Sequence, residues 1–79
     1  MIKITTIEEL RKSVSISQVE MANMLDISAK TLAKYEKDSS NLPTVLLKKY
    51  MDIFDVKFDD IFLGKKYEII VQRKKKINL

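Results

Sequence analysis

Two lysines one helical turn apart, Lys30 and Lys34, have the type and spacing of side chains that bind a nucleic acid. Their ammonium groups would leave one face of a helix and could donate to guanine O6 and N7 or to phosphate oxygens. Thr31 could hydrogen-bond to a phosphate or a base edge, whereas Ala29 and Ala33 offer only a methyl contact to thymine. The same two lysines would also be ordinary on a solvated helix face.

The stretch that must position these side chains, residues 17–37, has the pattern of two short helices and a tight turn. Only Asp26 and Ile27 separate the helices, so they must cross at a steep angle that holds the polar side of the second helix outward. Asp26 stands where a left-handed residue is needed, and Asp adopts that conformation more readily than most residues. Ser28 is expected to cap the second helix. The apolar positions that share or flank the inner faces are Val19, Met21, Ala22, Leu25, Leu32 and Tyr35.

Two capping-box patterns predict the first two helix starts. Thr6 and Glu9 form one, and Ser17 and Glu20 form the other. The first helix should end near residue 12 or 13, because serines alternate with β-branched residues after it. Its inward side chains are expected to be Ile7, Leu10 and Val14.

The third helix should end near residue 37 or 38 and be followed by a loop at residues 39–41. Two more helices are predicted after that loop. Pro43 suits the first turn of the fourth helix, because its missing amide costs nothing there. Residues 58–63 are predicted to form a short fifth helix, with Gly64 in the left-handed position after its end. The core side chains expected from these two helices are Leu46, Leu47, Tyr50, Met51, Phe54, Phe58, Ile61 and Phe62.

Residues 65–79 differ from the rest of the chain in charge and in period. They hold six basic residues and one acidic residue, a balance of +5, whereas residues 1–64 hold nine basic and ten acidic residues, a balance of −1. Residues 67–72 alternate as in a β-strand, which would pair with the same strand of a second subunit, although a helix extending from the bundle is the alternative. The basic run 73–76 is expected to fray. This tail either holds phosphates or only solubilises the chain.

Composition excludes several other function classes. The chain has 79 residues, no Cys, no His and one Gly. One domain is therefore expected, without a disulfide framework, a usual zinc site, a nucleophile–histidine pair or a glycine-rich phosphate loop. No stretch has the length and apolarity of a membrane span or the layout of a signal peptide. We expect a cytoplasmic protein that is not an enzyme and that needs no metal or cofactor.

The chain also resembles a known family, over about residues 4–63. The sequence is similar to the helix-turn-helix domain of lambda-repressor and Cro-like (xenobiotic response element) regulators. That resemblance implies a compact, all-α, five-helix DNA-binding domain at residues 1–64, followed by a C-terminal extension at residues 65–79. The residues that carry it are Ser17, Gln18, Ala22, Leu25, Ile27, Ser28, Thr31, Leu32, Tyr35, Glu36, Pro43, Phe54, Asp55, Val56, Asp59, Asp60, Ile61 and Phe62.

The resemblance also implies a set of DNA contacts. Base contacts would come from exposed positions early and midway in the helix at residues 28–37, and Gln18 would clamp a backbone phosphate with the positive end of its helix. Tyr35 could equally pack in the core or contact a phosphate. The candidate DNA-binding residues are Gln18, Ser28, Ala29, Lys30, Thr31, Ala33, Lys34, Tyr35, Lys37 and Asn41.

The function expected from these features is sequence-specific binding of double-stranded DNA by a transcriptional regulator. A homodimer would place the helix at residues 28–37 of each subunit in successive major grooves. A repressor or Cro-type protein of a phage or mobile element fits the short length, and an antitoxin that represses its own operon is the nearest rival. A different class is a protein-interaction module, such as an antirepressor, that binds a protein partner through residues 65–79 without touching DNA.

Overall fold

Helices make up most of the described chain, which is residues 4–77 of a computed structural model, with side chains described through Lys74. Within these residues there is no β-strand, only isolated bridges between Thr5 and Ile61 and between Asp38 and Lys65. The predicted all-α fold is therefore confirmed. The elements are α1 (Ile7–Ser13), α2 (Gln18–Leu25), α3 (Ala29–Lys37), α4 (Thr44–Phe54), a 3-10 turn (Phe58–Asp60) and α5 (Lys66–Ile77).

The first two helices begin at the two predicted capping boxes. Thr6 Oγ1 accepts from the Glu9 amide at 3.1 Å, and Glu9 Oε1 accepts from the Thr6 amide at 3.0 Å. Ser17 and Glu20 exchange the same pair of hydrogen bonds. Helix α1 ends at Ser13, as expected.

The expectation that Val14 faces inward is wrong, because this side chain is exposed. Val14 follows the last residue of α1 and lies in a turn with Ser15, which takes a left-handed conformation with φ 59°. Ile16 packs against the core instead.

Helices α2 and α3 pack against each other across the predicted turn. Asp26 is left-handed, with φ 60° and ψ 42°, and Ser28 Oγ caps α3 by accepting from the Thr31 amide at 3.0 Å. Met21, Ala22, Leu25 and Leu32 are fully buried between the helices, whereas Val19 lies at the exposed margin of α2.

Helix α4 closes the core from the other side. It begins at Thr44, one residue later than expected, because Pro43 has an extended ψ of 143° and is the N-cap. Its buried residues are those predicted, except that Met51 and Phe54 are only half-buried. Asp55 ends the helix in a left-handed conformation.

The predicted fifth helix at residues 58–63 is wrong, since only the 3-10 turn Phe58–Asp60 forms. The chain then extends beside Thr5, whose amide donates to the Asp60 carbonyl and whose carbonyl accepts from the Phe62 amide, both at 2.9 Å. This pairing draws Ile61 into the core as predicted, leaves Phe62 half-buried and leaves Phe58 exposed.

Gly64 is not left-handed, contrary to the sequence prediction. It is buried, and a Cβ atom added to it would lie 2.9 Å from Phe62 Cζ. The Ser39 hydroxyl accepts from its amide at 3.0 Å, and the Ser39 amide donates to its carbonyl at 2.9 Å. Backbone conformation therefore does not require the glycine, and a Cβ atom here would displace the Phe62 ring.

The predicted strand at residues 67–72 is also wrong, because this segment lies inside α5. Residues three and four apart meet the rest of the molecule: Lys66 Nζ lies 2.7 Å from Glu8 Oε1, Ile69 is buried, and Arg73 contacts Glu9. A lone strand would have had no partner, whereas a helix can dock one face on the bundle. The alternative of a helix extending from the bundle is thus the one observed.

The basic run beginning at Arg73 was expected to fray, and this too is wrong for Arg73. Its Nη1 donates to Glu9 Oε2 at 2.9 Å, and its Nη2 donates to Glu9 Oε1 at 3.0 Å and to the Ile4 carbonyl at 2.8 Å. The helix continues through Ile77. The guanidinium thus holds α5 against the N-terminal end of α1.

Candidate nucleic-acid interface

The outer face of α3 presents three lysines, Lys30, Lys34 and Lys37, all exposed at helical spacings of four and three residues. Ala33 is exposed beside them, whereas Ala29 and Tyr35 are half-buried and pack against the core. The structure therefore gathers the predicted base-reading positions of α3, except Ala29, on its solvent side. The inner side of α3 is closed by Leu32 and Glu36, which are both buried.

The start of α3 holds two hydroxyl groups in a defined arrangement. Besides capping the helix, Ser28 Oγ donates to Thr31 Oγ1 at 2.8 Å. That bond uses Thr31 Oγ1 as an acceptor and leaves the threonine hydroxyl hydrogen free to donate. Thr31 is half-buried and Ser28 is exposed.

Gln18, the first residue of α2, is tied to α3. Its Nε2 donates to Glu36 Oε1 at 2.9 Å, across 18 residues of sequence. A side-chain amide nitrogen carries two hydrogens, so one remains for an acceptor such as a phosphate oxygen. The hydrogen bond fixes where this amide lies relative to the outer, lysine-bearing face of α3.

The carboxylate that holds Gln18 belongs to a buried ion pair. Arg11 Nε donates to Glu36 Oε2 at 2.6 Å, its Nη2 donates to Glu36 Oε1 at 3.1 Å, and its Nη1 donates to the Ile16 carbonyl at 2.8 Å. The arginine and glutamate side chains are only 8% and 3% exposed. The hydrogen bonds to Glu36 raise the pKa of Arg11 above its ordinary value. This ion pair connects α1, α2 and α3 at one point.

Sequence reasoning did not identify this ion pair, although a signal for it exists. Glu36 follows Leu32 by four residues, which places a charged residue on the apolar face of α3. A charge on a buried face requires a partner. Arg11 follows the inward residue Leu10 and meets that requirement.

Tyr50 lies in the core near the same ion pair. Its hydroxyl is buried without a hydrogen-bond partner in the described part of the chain. Burial, and then the negative charge of Glu36, raise the pKa of Tyr50 well above its usual range. The phenol is therefore neutral at all physiological pH values.

The end of α3 and the loop after it carry the last two predicted contacts. Lys37 ends α3 and Asn41 is exposed in the loop, so both lie at the C-terminal end of α3. Between them, Asp38 Oδ1 accepts from the Ser40 amide at 3.0 Å and from Ser40 Oγ at 2.7 Å. These hydrogen bonds lower the pKa of Asp38 below its ordinary value. The loop is further anchored through Ser39 to Gly64.

Two short helices joined by residues 26–28, with a left-handed Asp26 and with exposed lysines on the outer face of the second helix, define a helix-turn-helix protein. The family model described as helix-turn-helix matches residues 7–61, well over half of the chain. The chain belongs to this family, in its lambda-repressor and Cro-like form, which comprises DNA-binding transcription regulators and not enzymes. No curated protein matches the chain at a significant level.

Two other features are absent from the described residues. No helix there is long and apolar enough to cross a membrane. Nor do residues 4–77 bring together three or more Asp or Glu side chains in a group that could hold a metal ion.

Proposed function

We propose that this regulator binds a specific double-stranded operator as a homodimer and represses transcription. Each subunit inserts α3 into the major groove, and the two helices lie about 34 Å apart in successive grooves. The observation that supports this best is the two-sided character of α3, with exposed lysines outside and Leu32 and Glu36 buried inside. A repressor of a phage or mobile element fits these features, and an antitoxin that represses its own operon would use the same surface.

Base recognition is assigned to the lysine face of α3. Lys30 and Lys34 each reach guanine O6 and N7, and the small Ala29 and Ala33 permit close approach or meet a thymine methyl. Thr31 donates its free hydroxyl hydrogen to a phosphate or a base edge. Each lysine that reads a guanine contributes discrimination of about 1–3 kcal/mol.

Phosphate contacts are assigned to residues at the two ends of α3. Gln18 donates its second amide hydrogen to a phosphate. The backbone amides at the start of α2, which form the positive end of the helix dipole, attract the same phosphate. Lys37 and Asn41 contact the DNA backbone at the C-terminal end of α3. Ser28 contributes its exposed hydroxyl at the N-terminal end of the same helix. Tyr35 is half-buried against the core and supports α3. Its hydroxyl is assigned to a contact with the DNA backbone.

Affinity must come from more than one α3 helix. Residues 1–64 carry a net charge of −1, so the domain has no general attraction for a polyanion. A second subunit doubles the number of contacts, and the basic tail at residues 65–79 can add phosphate contacts without reading sequence. Because the described part of this tail, residues 65–77, contains α5 and no strand, the dimer interface is assigned to helical surfaces.

The experiment that tests this proposal is selection of bound sites from random duplex DNA with the full chain. We expect an enriched site with two-fold related halves separated by one helical turn, bound by two chains. Lys30→Ala and Lys34→Ala should each lower affinity for the enriched site about tenfold, whereas Gln18→Ala should lower affinity for all duplexes alike. Absence of any enriched sequence would refute sequence-specific binding.

A further inference from the structure

A groove runs between the C-terminal end of α3 and the start of α5. Its volume is about 570 Å³, and we call it the α3–α5 groove. The volume is in the range of sites that accept large side chains. The α3 side of the groove belongs to the segment that matches the family, whereas its α5 side lies beyond that segment, since the match ends at residue 61. Its walls are formed by Lys37, Asp38, Lys65, Lys66, Tyr67 and Ile70.

Helix α5 has apolar side chains on two of its faces. Ile69 is buried against the rest of the molecule, which accounts for the docking of the helix. Tyr67 is 72% exposed and Ile70 is 41% exposed, and both line the groove. Exposed apolar side chains beside a concave surface offer apolar contact area to another molecule.

The polar rim of the groove is basic. Lys66 is engaged by Glu8 at 2.7 Å, but the ion pairs formed within residues 4–77 do not include Lys37 or Lys65. Asp38, which also lines the groove, accepts two hydrogen bonds from Ser40 and lies in the field of Lys65, so three lysines and one carboxylate leave the rim with a net positive charge. Two ammonium groups beside an apolar surface are complementary to a segment that carries both apolar and acidic residues.

A second copy of α5 is a poor occupant for this groove. Residues 65–79 carry a net charge of +5, so two such segments laid together would oppose like charges along their length. A phosphate backbone is also a poor match, because it would gain nothing from Tyr67 and Ile70. An acidic protein segment satisfies both the charge and the apolar surface.

We propose that the α3–α5 groove binds an acidic amphipathic helix of a partner protein. One or two large apolar side chains of that helix enter the groove between Tyr67 and Ile70, and its carboxylates pair with Lys37 and Lys65. Because Lys37 also belongs to the proposed DNA surface, the bound helix competes with operator DNA for this lysine. That competition rests on the proposed function, whereas binding of the helix does not.

The test begins with selection of 16-residue peptides from a random library against the full chain. Enriched peptides should combine aromatic or long aliphatic residues with several Asp or Glu. Ile70→Glu and Lys65→Glu should each weaken a selected peptide at least tenfold, and Gln72→Glu, an exposed change elsewhere on α5, should not. Enrichment of non-acidic peptides, no enrichment, or equal binding to all variants would overturn the proposal.

Other occupants are separated by two measurements. If sedimentation shows self-association that Ile70→Glu abolishes, the groove holds a second copy and the proposal is wrong. If Ile70→Glu weakens DNA binding as much as Lys34→Ala does, the groove belongs to the DNA interface, which also overturns it.

The coupling to DNA is tested with the selected peptide and the selected operator together. We expect saturating peptide to raise the apparent Kd for DNA at least fivefold, and DNA to raise the Kd for the peptide by the same factor. A ternary complex with both affinities unchanged would refute the competition at Lys37. A chain that binds the peptide but no DNA would refute the proposed function and leave the groove assignment standing.

Discussion

Two ion pairs that join distant parts of this chain differ in burial. Arg11 and Glu36 pair inside the bundle with side chains only 8% and 3% exposed. Arg73 and Glu9 pair at the surface with side chains 41% and 43% exposed. The first links α1 to α3, and to α2 through Gln18, and the second links α5 to α1.

The difference in burial implies a difference in what each pair does for the fold. Removing one partner of a buried ion pair leaves an unpaired charge in the interior, which costs about 3–5 kcal/mol, whereas exposed pairs contribute about 0.2–1 kcal/mol. Glu36 therefore fixes α3 and Gln18 firmly. The surface pairs at Glu8 and Glu9 hold α5 only weakly, so we expect α5 to detach more readily than any helix of the bundle.

The largest expected effect comes from breaking the buried pair. Glu36→Ala should lower the free energy of unfolding by about 3–5 kcal/mol, because the Arg11 guanidinium is left buried without its carboxylate. Urea denaturation measures the change, and Asp52→Ala, an exposed acidic residue on α4, is the matched control, expected to change stability by less than about 0.5 kcal/mol. A loss below about 1 kcal/mol for Glu36→Ala would contradict the account.

Removing both charges sharpens the comparison. The double variant Arg11→Met with Glu36→Leu should unfold with a smaller loss than Glu36→Ala alone, since no unpaired charge remains in the interior. The same urea titration reports this difference. If the double variant were less stable than Glu36→Ala, mutual compensation of the two charges would not be the main effect.

A smaller effect is expected beside the buried pair, at Tyr50. Its hydroxyl is buried without a hydrogen-bond partner in residues 4–77, so Tyr50→Phe removes an unsatisfied group while keeping the ring that stacks on Phe54. The free energy of unfolding should stay the same or rise by up to about 1 kcal/mol. Thermal and urea unfolding should agree on the sign. A loss above about 1 kcal/mol would mean that the hydroxyl is bonded in solution.

The smallest effect is expected at the surface pair and should depend on pH. Hydrogen bonds from Arg73 lower the pKa of Glu9 from 4.5 to about 2. A lowered pKa stabilises the folded state above pH 4.5, and the contribution disappears as the pH falls toward 2. Because the pair is half-exposed, solvent screening limits the contribution to about 0.2–1 kcal/mol.

Arg73→Gln should therefore be less stable than the unaltered chain at pH 7, with the difference shrinking between pH 4.5 and 2. Urea titrations across this range give the difference at each pH, and Lys74→Gln, an exposed neighbour, serves as the control. A difference that stays constant down to pH 2 would show that Glu9 is not the partner through which Arg73 acts.

Local sequence signals predicted the helix-turn-helix correctly. Two capping boxes, a left-handed Asp26 and the N-cap Ser28 depend on residues within four positions of one another, so the sequence determines them directly. The family match then confirmed the resemblance that these elements carry.

Features that depend on distant residues could not be predicted in the same way. Ile61 pairs with Thr5, and Gly64 with Ser39, so the region predicted as a fifth helix became extended. Residues 67–72 alternate in hydrophobicity as a strand would, yet they form part of the helix α5. The contacts of Lys66 and Arg73 with α1 stabilise this helix. The DNA-contact residues stay predictions, because only a complex or binding data can test them.

The most direct test of the central claim compares two exposed lysines by fluorescence anisotropy on the selected operator. Lys34 lies on the outer face of α3, and Lys57 lies in the connection after α4. Loss of one base contact of about 1–3 kcal/mol predicts that Lys34→Ala weakens binding roughly 5- to 150-fold, while Lys57→Ala changes it less than about twofold. Equal affinities for the two variants would contradict DNA recognition by α3.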